Sequence, residues 1–599
     1  MAKTLPGRSE VVLQDTWDIT SVYPDITAWH ADAQRLASEL PKLAAYAGTL
    51  GDAPATLLAA LQHFEQAQVL MGRLFVYTSM NFDVDTTNQA AAALRDQAIG
   101  LYARLGATTA FVEPELLALE PTHLDGMIAA EPGLAVYRHL IENLRRRAAH
   151  VRSGEVEQLL AQAAEPLSAA YSSYQMLAEG DLQFADALDA QGEPHTVTTS
   201  TIEELLHSPD RTLRYNAWCS HQDGFLRFKN SIGSIYAGSV KGDVFNARAR
   251  RYPSALDASL FASNIPRTVY ENVIDACNRH LPIWHRYWAI RRRALGLEQI
   301  EACDIFAPLG PTLRYSFDEA VAIVTQAVAP LGATYQTTAQ DGLTTQRWVD
   351  VYPNQGKTSG AYSSGSYGTH PFILLNFDGT LVNVSTLAHE LGHSMHTWYT
   401  QQHQPPIYAD YALFVAEVAS NFNQALLRGH LLAKQPGRDE EIAILEEAMS
   451  NFHRYLFLMP ILSQFEQHVH DQAEKGQPLT ASGMNSVLSD LFARGYGPAV
   501  KVDPERDGIV WAQFPHLYAN FYVYQYASGI AAANALAVDV LGGDQEAQAK
   551  YLRFLGAGSS VYPLDALKMA GIDMTSPEPL DRAFAVLEGF VSRLEALVG

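Results

Sequence analysis

The sequence predicts a mainly α-helical protein with one small β-sheet, and three observations carry that prediction. Ala- and Leu-rich stretches with apolar residues at helical spacing fill 28–46, 54–80, 86–112, 133–149 and 155–178. Helical patterning returns over 201–300, 430–494 and 527–539, and further helices close the chain. Strand-like text is confined to 345–352, 370–377 and a short hairpin expected between 181 and 200 around Gly192-Glu193-Pro194. With 599 residues, 48% of them hydrophobic, the chain can bury more than one core. A soft boundary is expected near residue 200, giving an N-terminal helical domain, 1–200, and a second domain, 201–599.

Composition excludes some classes of function. Lys and Arg number 42 against 65 Asp and Glu, for a net charge of −23, and no basic cluster could follow a phosphate backbone. Nucleic acid is therefore not an expected partner. The three cysteines, Cys219, Cys277 and Cys303, are far apart and odd in number, so reduced core thiols are expected. The N-terminus lacks an apolar signal-like core and no run of 18 apolar residues occurs, so a soluble cytoplasmic protein without membrane contact is expected.

Along the chain, Arg145-Arg146-Arg147 with His150 reads as a solvated helix face. Asp210-Arg211 and Ile265-Pro266 mark helix starts, while Trp284, Tyr287 and Trp288 read as core. The segment 356–368 is rich in Gly, Ser and Tyr but lacks a phosphate-cradle pattern. Glycines flanking a strand let another backbone approach closely, such as an extended chain pairing with an open sheet edge.

The chemistry concentrates in Thr386-Leu387-Ala388-His389-Glu390-Leu391-Gly392-His393-Ser394-Met395-His396. Residues 370–377 read as strand, Asp378-Gly379 as a turn, and Asn383 or Ser385 as the cap of a helix. On that helix His389 and His393 leave one face a turn apart, while Val384, Leu387, Leu391, Met395 and Trp398 mark the opposite face. Glu390 lies where it can reach a water on a bound ion. This is the H-E-x-x-H pattern of zinc peptidases. His396 shares the face but stands about 10 Å along the axis from His389, too far for the same ion. A metzincin would need Gly at position 396 and His at 399; the chain has His396 and Tyr399. Asp410 reads as the cap of a second helix running from Tyr411 to about Arg428. Glu417 lies within its apolar text, where a buried carboxylate needs a partner, and is the expected third ligand.

Further on, Arg494 to Gly508 is a Gly- and Pro-punctuated loop of the length usually kept for function. It leads into His516 and a tyrosine-rich run. Taken as a helix, that run puts Tyr518, Tyr522 and Tyr526 on one face. Such a stripe is either core packing or, because phenols and imidazoles stabilise an oxyanion, part of a site.

With these residues in hand, the chain resembles the oligoendopeptidase F family, relatives of thimet oligopeptidase among the gluzincins. The resemblance runs through Trp17-Asp18-Ile19-Thr20, Arg251-Tyr252-Pro253-Ser254, Gly360-Ala361-Tyr362-Ser363 and Gly365-Ser366-Tyr367-Gly368. It continues through the zinc motif, Phe414-Val415-Ala416-Glu417, Phe521-Tyr522-Val523-Tyr524 and Tyr562-Pro563-Leu564-Asp565. It implies a two-lobed helical shell around a deep substrate channel, with a small sheet beside the zinc-binding helices. It also implies one Zn2+ on His389, His393 and Glu417, with Glu390 as catalytic base in a catalytic domain, 201–599. His516 corresponds to the family's transition-state histidine, and Tyr522 and Tyr526 to its tyrosines, with Tyr524 as a further candidate. Gly360, Ala361, Tyr362, Tyr367 and Gly368, with Tyr524, become candidate substrate-binding residues.

The expected function is zinc-dependent hydrolysis of internal bonds in short unstructured peptides, by Glu-assisted attack of a water on the metal. The alternatives are a zinc hydrolase of a non-peptide amide and a non-catalytic peptide-binding protein. A monomer or a small homo-oligomer is compatible with the sequence.

Overall fold

The computed structural model of the chain describes residues 5–598, and helices dominate it. It divides into two compact units, each assembled from three separate stretches. The first comprises the chain to Ala149, Arg314–Leu427 and Asp539–Gly571; the second comprises His150–Leu313, Arg428–Val538 and the chain from Ile572.

In the first unit, α1 (Ile26–Ala44), α2 (Pro54–Asp83) and α3 (Gln89–Thr109) pack side by side. Each start follows local chemistry. Asp25 accepts the amide of Ala28, Pro54 occupies the first turn of α2, and Asn88 accepts the amides of Ala90 and Ala91. Their inward residues, among them Trp29, Leu36, Leu57, Leu74, Leu101 and Leu105, form one core that also takes in Phe372 and Leu374. Two differences from the sequence pattern appear here. Val112–Ala118 and Pro121–Ala130 are additional short helices, the second opened by its proline, and 133–149 begins as a 3-10 turn before an α-helix at Arg138–Arg147. Arg145 and Arg147 pair with Asp125 and Glu113 at the surface.

The sheet of this unit has three short strands: β1 (Val349–Asp350), β2 (Tyr362–Ser364) and β3 (Phe372–Leu374). The order is β1-β3-β2, with β1 parallel and β2 antiparallel to β3, so β2 is an edge. Both expected strands are longer than the observed ones, because a backbone break precedes one and a side chain replaces the ladder after the other. Arg347 sits at φ +48°, held by its guanidinium on the Thr16 carbonyl, and breaks the run before Val349. Beyond β3, the Asn376 side chain takes the carbonyls of Thr358 and Gly360 in place of a ladder.

After the Asp378-Gly379 turn comes α4 (Leu381–His403), followed by α5 (Leu413–Ala433). The cap of α4 is Thr380, whose Oγ1 accepts the Asn383 amide; this corrects the expectation of Asn383 or Ser385. Asp378 fixes Thr380 in place by accepting its amide and hydroxyl. Asp410 likewise is not the cap of α5. It accepts the amide of Tyr411, and the helix starts at Leu413, because the Tyr411 ring is drawn onto buried His396 at 3.7 Å.

In the second unit, the hairpin pairs Ala187–Leu188 with Pro194–His195, closer to Gly192 than the flanking runs at 181–184 and 196–200. Asp210 caps Arg211–Arg227 through the amides of Thr212 and Leu213. Trp284, Tyr287 and Trp288 are buried, as are Cys277 and Cys303, and Cys219 is half-buried; all three cysteines are free. Within the expected 494–508 loop, Val500–Lys501 pairs in parallel with Ile300–Glu301. Helix α6 (Met459–Glu474) follows a π-helical turn at Arg454–Leu458, and α7 (Tyr524–Leu541) is the Ala-rich helix.

Candidate metal centre and its neighbours

Two helices of the first unit build the centre. His389 and His393 stand on α4, their rings 4.9 Å apart, and Glu417 on α5 brings Oε2 within 3.5 Å of His389 Nε2 and 3.9 Å of His393 Nε2. The two helices come this close because position 392 is glycine: a Cβ there would lie 2.4 Å from the Ala419 carbonyl oxygen. Tetrahedral zinc with ligands at about 2.0–2.2 Å needs ligand atoms about 3.4 Å apart, so the two histidines and one carboxylate fit one ion. Among the described residues these three form the group of His, Cys, Asp and Glu able to hold a metal. His396, 1% exposed and stacked on Tyr411, stands outside it, as its position on the helix requires.

A second layer orients the ligands. His389 Nδ1 is 3.0 Å from Gln424 Oε1, and Gln424 Nε2 donates to Ser385 Oγ at 2.8 Å. With its Nδ1–H donated to that amide, His389 presents a bare Nε2 to the metal position. Ser420 Oγ donates to Glu417 Oε2 at 3.1 Å. Burial holds the His393 imidazole down at about 4, so it is neutral at physiological pH, the form a metal ligand needs.

Glu390 is 6% exposed. Burial, with Glu417 adding repulsion, raises its pKa to about 7, against the lowering effects of His389 and of a hydrogen bond from the Ser363 amide. Ser363 is the middle residue of β2, and its Oγ lies 2.8 Å from Ser394 Oγ on α4. The edge strand thus reaches the carboxyl group through its backbone. Tyr362, next to it, is committed elsewhere, its hydroxyl donating to Asp83 at 2.7 Å on α2. Gly360 and Gly368 adopt φ +81° and +83°, positions that glycine tolerates, and the Gly368 amide donates to Gln401. Ala361 is half-buried. Tyr367 borders a cavity of about 770 Å3 shared with His63, Glu65 and Arg73.

The remaining candidates lie in the second unit, and here the single-helix expectation is corrected. Pro515–Tyr518 is a 3-10 turn, Phe521 has φ +50°, and α7 begins only at Tyr524. Tyr518 is therefore turned away from Tyr522 and packs on Tyr174 and Tyr236. Tyr522 and Tyr526 stay together, hydroxyl to hydroxyl at 2.7 Å, with the His516 ring 6.1 and 5.9 Å from theirs. Among the described residues His516 Nδ1 has no hydrogen-bond partner, and burial with the nearby Arg454 charge lowers the imidazole pKa. Tyr524 does not join this group: it is 1% exposed with its ring against Tyr270.

The model of "Peptidase family M3" matches residues 204–586, and that of "Oligopeptidase F" matches 115–184. Oligopeptidase PepF of Bacillus subtilis is 38% identical over the whole of this chain and 89% of its own length. The chain belongs to peptidase family M3. Group B oligopeptidase PepB of Streptococcus agalactiae is 36% identical to this M3 chain, covering 99% of it and 98% of the relative. A crystal structure from Chlamydophila abortus superimposes with a TM-score of 0.90 at 35% identity, covering 99% and 100% of the two chains. Oligoendopeptidase-F from Enterococcus faecium does so with a TM-score of 0.75 at 30% identity, covering 95% and 98%. Family membership and the His389–His393–Glu417 group together make this M3 chain a metalloendopeptidase.

Gln424, Ser420 and Ser363 are absent from the sequence-based candidates. Gln424 carried a readable signal: it lies seven residues after Glu417, two turns along the same face of an otherwise apolar helix. Ser363 carried none, because its backbone amide makes the contact.

Proposed function

We propose that this M3 chain is a zinc-dependent oligoendopeptidase that hydrolyses internal bonds of short, unstructured peptides. The observation that carries the reading is the buried Glu390 carboxyl beside a two-histidine, one-carboxylate group with room for a single ion. Zinc held there would act as a Lewis acid, polarising water and the scissile carbonyl. Glu390 takes the proton of the attacking water and returns a proton to the departing amine. A pKa near 7 without metal suits that exchange, and a cation beside the carboxyl lowers it further into the ionised form at neutral pH.

In this reading an extended peptide lies along the outer edge of β2, where the Ser363 amide is already taken by Glu390, and the Gly360–Gly368 segment supplies the approach for its backbone. Family likeness gives His516, Tyr522 and Tyr526 the part of hydrogen-bond donors to the carbonyl oxygen as it becomes an oxyanion, each such donor typically contributing about 3–4 kcal/mol to the barrier. The fine points of substrate choice belong to the residues lining the peptide path, and a helical shell around a channel, inferred from family likeness, would restrict entry to unfolded chains. Three free cysteines support a reducing, cytoplasmic setting.

The test is mass spectrometry of a mixed library of short peptides plus one folded protein, incubated with metal-loaded enzyme, chelated enzyme and the Glu390→Gln variant. Internal cleavage of the short peptides by the metal-loaded enzyme alone is expected. Bound zinc with no cleavage would move the protein to peptide binding, and cleavage confined to acyl-amino acids would move it to amide hydrolysis.

A further inference from the structure

The break at Phe521 brings Tyr522 to Tyr526 and His516, and one buried carboxyl group sits on that break. A positive φ on a residue with a bulky side chain persists only where its surroundings enforce it. The surroundings are specific. The Phe521 amide donates to Glu466 Oε1 at 2.7 Å, the preceding Asn520 carbonyl accepts from Ser259 Oγ at 2.8 Å, and the Asn520 side chain donates to the Ala255 carbonyl. The Phe521 ring packs against Tyr270 and His470.

Glu466 itself, on α6, is 0% exposed. Among the described residues its Oε2 has no hydrogen-bond partner, so the Phe521 amide is what its side chain hydrogen-bonds, while the His470 imidazole one turn on favours its charged form. A carboxyl in a helix core is costly, and a purely space-filling role would be met better by an apolar residue. The titratable groups around it, His470, Asp243, Tyr236 and Tyr270, stand outside the His516–Tyr522–Tyr526 group. Were the turn to relax into continuous helix, Tyr518, Tyr522 and Tyr526 would fall into one row, and the His516 ring would leave its place beside Tyr522.

Resting on the reading of His516, Tyr522 and Tyr526 given under Proposed function, we propose that Glu466 is a positioning residue. Its carboxyl group holds the Phe521 amide, and with it the left-handed turn that sets the Tyr522–Tyr526 hydroxyl pair beside His516. It acts through these residues and touches no substrate.

Kinetics of the metal-loaded full chain on a short internally quenched peptide test this. Glu466→Leu, which removes the acceptor, is expected to lower kcat about tenfold to a hundredfold, the scale of a misplaced catalytic group. KM and metal content are expected to stay within about twofold, since neither depends on the oxyanion donors. Glu466→Gln keeps a carbonyl acceptor and is expected to recover most of the loss. Adding Tyr526→Phe to Glu466→Leu should cost little more than the larger single loss, because one variant already disables what the other removes. A leucine variant with wild-type kcat, a glutamine variant as impaired as leucine, or losses that multiply would each overturn the proposal. If the leucine variant does not fold, amide exchange in the wild type decides: strong protection at Phe521 is expected, and exchange at an unprotected rate overturns the assignment. Wild-type turnover by His516→Ala and Tyr526→Phe would instead remove the oxyanion role itself, so the two failures are distinct.

Discussion

At the scale of single residues, the proposed reading gives Glu390 and Gln424 different parts beside the His389–His393–Glu417 group. Glu390 is buried, raised to about 7, and bonded from the Ser363 amide. Glutamine in its place keeps the size and the acceptor but cannot take a proton. Glu390→Gln is therefore expected to bind one metal ion per chain while kcat falls by about 100- to 10,000-fold, the usual contribution of a positioned base. Metal analysis and kinetics on one sample check this, and retained turnover would deny Glu390 its role. Gln424 bears on affinity instead. Gln424→Leu strands His389 Nδ1 without its acceptor and is expected to weaken metal binding about 10- to 100-fold. Competition with a chelator of known affinity measures it; an unchanged constant would reduce Gln424 to a packing residue.

At the scale of elements, the site depends on how closely α4 and α5 approach. A Cβ at position 392 would sit 2.4 Å from the Ala419 oxygen and 2.6 Å from Ser420 Cα, both backbone atoms that cannot swing aside. Gly392→Ala must therefore push Glu417 away from the histidines. It is expected to cost about 1–3 kcal/mol of stability, the scale of an overpacked core, and to lose the metal at concentrations that saturate the wild type. A thermal melt and metal content check it; a variant normal in both would show that the helices can separate without harm. The same elements show what the sequence made legible. His389, Glu390 and His393 could be read directly, because their relation depends only on the helical repeat. Glu417 followed from the cost of a carboxylate in apolar text. The start of α4 is decided locally, by Asp378 on Thr380 two residues away, a turn the sequence displays and the expectation of Asn383 or Ser385 overlooks, whereas the Asp410 cap fails because the Tyr411–His396 stack, set by packing, decides that start. The break at Phe521 was hidden for the same reason: nothing near 521 in the sequence names its partner, Glu466, 55 positions earlier.

At the scale of the molecule, the catalytic text cannot be separated from the N-terminal text. Phe372 and Leu374 of β3 belong to the core built by α1, α2 and α3, with Trp17 edge-on to Phe372 at 5.9 Å. Asp350 of β1 is 0% exposed and binds both Arg8 and the buried Lys357, tying the N-terminal segment to the sheet and to the loop that leads into β2. The division expected near residue 200 falls between the two matched family segments, 115–184 and 204–586. We propose that it marks a boundary of family resemblance and not of independent folding. A chain starting at residue 201 would expose the inner face of β3 and leave the Asp350–Lys357 pair short of Arg8. Removing one partner from a buried ionic group typically costs about 3–5 kcal/mol, and the lost core adds to that. Such a chain is expected to be recovered insoluble or without metal. A soluble, metal-binding, active 201–599 would show instead that the helices before residue 150 only cover a site that stands without them.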